Sequence, residues 1–182
     1  MKRKTAKELL AESFRELAEG RSIDKITVSD IAANCGYSTA TFYRQFRDKY
    51  DLIAWDYSRD LEQILERAGG ETISWKQLIS DISDYYETHK EYLANLFLHT
   101  SGHDSFLQYM VEINNEKLRE LVQTGAGTDR LSEKTEMCIR AYCLGAVSLT
   151  CEWILGRYPV SKATLREVFE ESLPPILRKY VL

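Results

Sequence analysis

Within one short run, Thr39, Ala40, Thr41, Tyr43, Arg44 and Gln45 are of the types that touch the edges of nucleic-acid bases. A threonine carries a hydroxyl and a methyl that matches thymine, glutamine can bond adenine, and arginine can bond guanine or a phosphate. Tyr43 and, a little further on, Lys49 suit contact with the sugar-phosphate backbone. Such groups are useful only if one helix holds them all outward. The spacing provides this, because Phe42 and Phe46 stand four apart and claim the inward face of a helix over Thr39 to Phe46.

The neighbouring elements must aim that helix. Ser38 stands where its hydroxyl can cap it. Before it, Val28, Ile31 and Ala32 fall at helical spacing, and Thr27 or Ser29 can cap the helix they form; both remain candidates for DNA contact as well. Asn34-Cys35-Gly36 stops that helix, and Gly36 can take the positive φ that a sharp reversal needs, so the second helix leaves steeply. A supporting helix precedes the pair, from about Ala6 to Glu19, with Leu9, Leu10, Phe14 and Leu17 on one face and Gly20 as its end.

The segment Ile26 to Leu52 resembles the TetR family of bacterial transcriptional regulators (TetR/AcrR type), whose landmarks stand here as Thr27, Val28, Ile31, Ala32, Gly36, Tyr37, Ser38, Tyr43, Phe46, Lys49 and Leu52. The resemblance implies an all-α chain: a helix-turn-helix DNA-binding head over residues 1–50 and a helical-bundle effector-binding and dimerisation body over 51–182. It also implies that Thr39, Ala40, Thr41, Tyr43 and Gln45 lie in or beside the major groove of a palindromic operator, and that Lys49 grips a phosphate. Arg44 departs from the family pattern, so base and phosphate both stay open as its partner. The implied function is a ligand-responsive regulator acting as a homodimer, a repressor in the commoner outcome. An activator is the alternative, since Ala141 to Pro159 is similar to a branch that includes activators of sugar-related operons. A module that holds a protein partner is the other.

The charge balance fits a bipolar molecule. The 182 residues carry a net charge of -4, yet residues 1–50 hold ten Lys or Arg against seven Asp or Glu, and the remainder 14 against 21. A positive head and an acidic body present one end to phosphates, although so small a surplus leaves the contacts to placement. Lys2-Arg3-Lys4 with Lys7 is the densest basic patch, readable as a minor-groove arm or as a solvated terminus. Cys35, Cys138, Cys143 and Cys151 form no paired framework, and we expect no apolar leader, no membrane-spanning stretch and a cytoplasmic chain with reduced thiols. No phosphate-cradling glycine loop, matched nucleophile and base, or metal-spaced carboxylate cluster is evident, so neither an enzyme nor a cofactor is expected.

Beyond the head, Lys49 to about Ala68 reads as a long connecting helix broken by Gly69-Gly70. It is followed by helices near Ser74 to His89, Glu91 to Thr100 and Asp104 to Gln123, a loop from Thr124 to Asp129, a long helix from Ser132 to Leu155, and a last one from Ser161 to Leu173 that Pro174-Pro175 bends or interrupts. No strand pattern appears. Aromatic residues crowd the middle helices, and Trp75, Tyr86, Phe97, Phe106, Tyr109 and Tyr142 are the candidates to line a pocket for a small-molecule effector, with core filling as the competing role. Tyr142, Gly145, Ala146, Leu149, Trp153, Leu165, Val168 and Phe169 are the candidates for a two-fold interface in which each chain gives two helices to a four-helix bundle. His99 and His103 stand four apart, but Gly102 intervenes and no third metal ligand is evident. His89 suits a helix C-terminus.

Overall fold

The computed structural model describes residues 4–68, 74–102 and 105–181. Among them are ten α-helices and no strand. Lys2, Arg3, Gly69-Gly70, His103 and Asp104 lie outside the described residues.

The head is built from three helices, α1 (Ala6–Gly20), α2 (Val28–Asn34) and α3 (Thr39–Gln45), with a single 3-10 turn (Ile23–Lys25) between the first two. Thr5 opens α1 through a reciprocal cap: Glu8 N donates to Thr5 Oγ1 at 3.3 Å and Thr5 N to Glu8 Oε2 at 2.6 Å. Leu10, Ala11 and Phe14 of α1 are fully buried against Ile23, Ile26, Ile31 and Phe42 in one continuous core. Side-chain hydrogen bonds fix the register of α1 on α2. Buried Ser13 Oγ donates to the Ile31 carbonyl at 2.7 Å, and Asn34 Nδ2 donates to Ser13 Oγ at 3.1 Å and to Glu16 at 2.9 Å.

The body comprises α4 (Lys49–Ala68), α5 (Trp75–Thr88), α6 (Lys90–His99), α7 (Phe106–Ala126), α8 (Glu133–Ile154), α9 (Lys162–Glu171) and α10 (Pro175–Val181). Helix α4 packs on α1, α5 and α7, while α7 lies along α8 and α10, and α5 along α9. Serines cap four helices through the amide of the third helical residue, Ser38 at α3, Ser74 at α5, Ser132 at α8 and Ser161 at α9. His89 joins α5 to α6, and its Nδ1 donates to the Tyr85 carbonyl at 2.9 Å.

Three expectations change. The loop expected from Thr124 to Asp129 is helical as far as Ala126, and Gly127, at φ 63°, ends the helix instead. Gly125 is a site of close approach, not a turn: a Cβ there would stand 2.3 Å from the Tyr180 carbonyl oxygen of α10. The last helix stops two residues short of Leu173, at Glu171, and of the two outcomes expected of Pro174-Pro175 the structure has an interruption and not a bend: Pro175 starts α10, a position where its missing N–H costs nothing. Finally, α8 is long and apolar enough to cross a membrane by length and composition, although no such stretch was expected; an 18-residue window within its 22 residues reaches a mean hydropathy of 1.2. Its apolar side chains pack on α6, α7 and α10.

Gly125→Ala is expected to destabilise the fold by about 1–3 kcal/mol, because the added methyl meets backbone that cannot swing aside. Thermal unfolding checks this, at roughly 2–4 °C of Tm per kcal/mol for a chain of this size.

Candidate nucleic-acid interface

Helices α2 and α3 meet at the turn the composition demanded. Thr27, rather than Ser29, caps α2: Asp30 N donates to Thr27 Oγ1 at 3.1 Å, and Thr27 N returns a bond to Asp30 Oδ2 at 2.9 Å. That pairing and Arg21 hold the Asp30 carboxyl below the usual carboxylate range. Gly36 takes φ 74°, and its neighbour Tyr37 donates through its amide to the Ala32 carbonyl at 2.8 Å, which closes the end of α2. Ser38 then starts α3, accepting from Thr41 N at 3.2 Å and lying 3.1 Å from Thr41 Oγ1.

The two faces of α3 are cleanly divided. Phe42 is fully buried, and Phe46, the residue that ends the helix, is 3% exposed. Phe46 packs on Trp55 of α4 with ring centroids 5.6 Å apart, and the Lys7 ammonium sits over both rings. On the other side Thr39, Ala40, Tyr43 and Arg44 are exposed, with Thr41 and Gln45 half-exposed at the margins. Tyr43 is 60% exposed yet not loose, because its ring meets Phe42 edge-on at 5.6 Å. Thr27 and Ser29 are both exposed at the start of α2.

Lys49 is the correction on this surface. Its ammonium donates to the carbonyls of Ile23 at 2.8 Å, Ile26 at 2.9 Å and Asp24 at 3.2 Å, so it staples the start of α4 to the segment before α2 instead of reaching outward for a phosphate. Partial burial lowers its pKa, against the nearby Asp24 carboxylate, which raises it. An outward cation that the sequence reading did not single out is Arg47, whose side chain is 79% exposed two residues beyond α3. Its signal was its place, immediately after the residue that ends the helix.

Helix α4 joins this head to the body through paired charges. Arg15 of α1 donates to Asp56 at 2.5 Å and also to Asp60, and Arg59 donates to Asp56 at 2.7 Å. Asp56 is 1% exposed, and burial pushes its carboxyl up while Arg15 pulls it back. The next residue, Tyr57, faces the body: its hydroxyl lies 3.1 Å from Tyr86 Oη and accepts from Asn114 Nδ2 at 2.8 Å.

Tyr86 and Asn114 also line a cavity of about 70 Å³ whose wall is drawn from α4, α5, α7, α8 and α9. Trp75, Tyr86 and Tyr142 of the expected pocket residues stand on its wall. Phe97 and Phe106 do not. They pack on one another at 5.1 Å, and Phe106, fully buried, meets Tyr57 at 5.5 Å, so Phe106 fills core and Phe97 lies half-buried against it. Tyr109 is half-buried on α7 and does not line it either.

The residues expected at a two-fold interface also separate. Leu165, Phe169 and Trp153 are buried within the chain, and Trp153 Nε1 donates to the Val160 carbonyl at 3.0 Å. Tyr142 is committed internally, its hydroxyl donating to the Phe169 carbonyl at 2.8 Å. Gly145 and Val168 are exposed, and Leu149 and Ala146 are half-buried. Met137 at 65% and Leu144 at 43% exposure are further exposed apolar residues of α8, whereas Ala146 lines the cavity. All four cysteines are free thiols, and burial pushes the Cys143 thiol up to about 12, which keeps it protonated and unreactive. No group of three metal-ligating side chains occurs among the described residues.

Residues 5–54 match the tetR family of bacterial regulatory proteins, and residues 74–174 match a transcriptional regulator C-terminal region. An HTH-type transcriptional regulator of Staphylococcus aureus (strain MRSA252) is 31% identical over 120 residues, which are 64% of this chain and 60% of that protein. The HTH-type dhaKLM operon transcriptional activator DhaS of Lactococcus lactis is 28% identical over 88 residues, covering 48% of this chain and 40% of the relative. The matches therefore span less than two thirds of those relatives' length. The solved structure of the dihydroxyacetone kinase operon activator DhaS aligns with 96% of this chain and 95% of its own at a TM-score of 0.62 and 16% identity, a likeness of fold. These relatives are transcriptional regulators, and no catalytic family is indicated.

Lys49→Ala is expected to destabilise the head by about 1–3 kcal/mol, since it leaves three carbonyls without their cationic donor. Tyr43→Ala, on the exposed face, is expected to stay within roughly 0.5 kcal/mol of wild type. Urea unfolding of both variants distinguishes a staple from a surface group.

Proposed function

Since the chain belongs to the TetR family of bacterial regulatory proteins and is a helix-turn-helix transcriptional regulator, we propose that it grips a palindromic operator as a homodimer and releases it when a small molecule enters the body. The observation that carries this is the division of α3, with both phenylalanines buried and Thr39, Ala40, Tyr43 and Arg44 outward. In this reading Thr39, Ala40 and Thr41 meet base edges, Gln45 and Arg44 add hydrogen bonds, Tyr43 and Arg47 meet phosphates, and Thr27 and Ser29 stand at the rim. Lys49 contributes by holding the frame. Residues 1–50 act as the head and 51–182 as the body, with α4 bridging them, in the cytoplasm.

The two-fold contact is assigned to the outer side of α8 with α9. Met137, Leu144 and Val168 leave apolar surface exposed there, and a Cβ at Gly145 would meet nothing within 4 Å, so a second copy could come close. Two reading helices one DNA turn apart bind far more tightly than one. A ligand that fits better when α4 is displaced weakens DNA binding by its difference in affinity for the two forms. Repression by occluding polymerase is the direct outcome of such binding. Activation is a second reading, favoured by one observation: of the relatives described above, the one named with a direction of control is an activator.

A gel shift at fixed salt with the DNA upstream of the protein's own gene tests the reading. A specific complex is expected for wild type, weakened at least about tenfold in Tyr43→Ala with its melting temperature unchanged. Failure of wild type to form a complex on any upstream segment would overturn it. A transcription reporter carrying that segment gives the sign of control.

A further inference from the structure

The wall of the body cavity is apolar except at a few points, and almost all of those are already occupied. Tyr142 donates to the Phe169 carbonyl, Thr150 Oγ1 to the Ala146 carbonyl at 2.8 Å, and Asn114 Nδ2 to both Tyr57 and the Met110 carbonyl. Lys117, a cation on the lining, is held at 3.1 Å by Glu62 and at 3.3 Å by Glu120. No carboxylate lines the cavity among the described residues. Of the fully buried side-chain nitrogen and oxygen atoms on this wall, one has no hydrogen-bond partner among the described residues. It is Nε1 of Trp75, a residue 5% exposed.

A buried N–H without an acceptor costs about 1–3 kcal/mol, so an acceptor brought by a ligand recovers energy the empty protein forgoes. A charged ligand recovers less than it loses. An anion would have to pull Lys117 from Glu62 and Glu120, and a cation would enter beside Lys117 with no carboxylate to meet it. A purely hydrocarbon ligand would fill the space and leave the indole unsatisfied.

We propose that the cavity takes a small neutral molecule with an apolar body and one hydrogen-bond acceptor, a carbonyl or ether oxygen, that receives the Trp75 Nε1 hydrogen. This rests on the reading of the cavity as the effector site. Tyr86 and Asn114 on the same wall hold the Tyr57 hydroxyl of α4, so a molecule seated there touches the residues that position the connecting helix.

Four probes on one skeleton test it by calorimetric titration of the full chain: cyclohexanone, methylenecyclohexane, cyclohexanecarboxylate and cyclohexylamine. Cyclohexanone is expected to bind about threefold to tenfold more tightly than methylenecyclohexane, the worth of one net hydrogen bond, and the two ions at least about tenfold more weakly than the ketone. Trp75→Phe is expected to erase the preference for the ketone and retain the hydrocarbon's affinity. The comparison of probes on wild type stands even if that variant does not fold. Tightest binding of the carboxylate or the amine, or no ketone preference in wild type, overturns the ligand class while leaving an effector site in place. No binding of any probe at millimolar concentration overturns the site and the class together.

Discussion

Seven residues are too few for a helix to persist in water, since isolated helices shorter than about 12–15 residues are marginal. Helix α3 therefore exists because something else holds it, and that something is the burial of Phe42 and Phe46. Each buried phenylalanine is worth roughly 1.5–3 kcal/mol, more than the cap at Ser38 adds on its own. Burying these two rings also fixes the rotation of the helix about its axis, so the same contact that stabilises α3 selects Thr39, Ala40, Tyr43 and Arg44 as the outward set. The rest of the head serves the rings: α1 supplies the wall, Trp55 of α4 closes the edge on Phe46, and Lys7 lies over both.

Much of this was legible in the residues because local rules and the final packing agree. Thr27 and Ser38 are caps in the sequence and caps in the structure, Gly36 turns where only a positive φ allows it, and the four-residue spacing of the phenylalanines becomes one buried face. The ends of α4, α5, α6 and α8 fall within a residue or two of where periodicity and capping put them. Matches to the family cover both head and body, which agrees with the resemblance carried by Ile26 to Leu52.

What was not legible depended on partners distant along the chain. Lys49 looks like a free surface cation until the carbonyls of Ile23, Asp24 and Ile26 are folded beneath it, more than twenty residues earlier. Thr124-Gly125-Ala126-Gly127 has the composition of a loop, yet α7 continues through it because α10 arrives so close that only glycine fits at 125. Aromatic residues at helical spacing look equivalent in a sequence. Tertiary packing alone sends Phe106 into the core, lays Phe97 against its edge and leaves Trp75, Tyr86 and Tyr142 on a cavity. The same ambiguity separates the buried Trp153, Leu165 and Phe169 from the exposed Leu144 and Val168 on the two helices expected to supply a two-fold interface.

Asp56 and Tyr57 are consecutive on α4, and successive side chains on a helix point about 100° apart. One is clamped by guanidinium groups on the side of the head, the other by a phenol and an amide on the side of the body. A rod held to the head at Lys49 and again at Asp56 can neither spin nor tip against it, so the first two turns of α4 belong to the head as one piece. Its other half carries Leu61 and Leu65 of the cavity wall, so a single helix has one end fastened in the head and the other on the cavity.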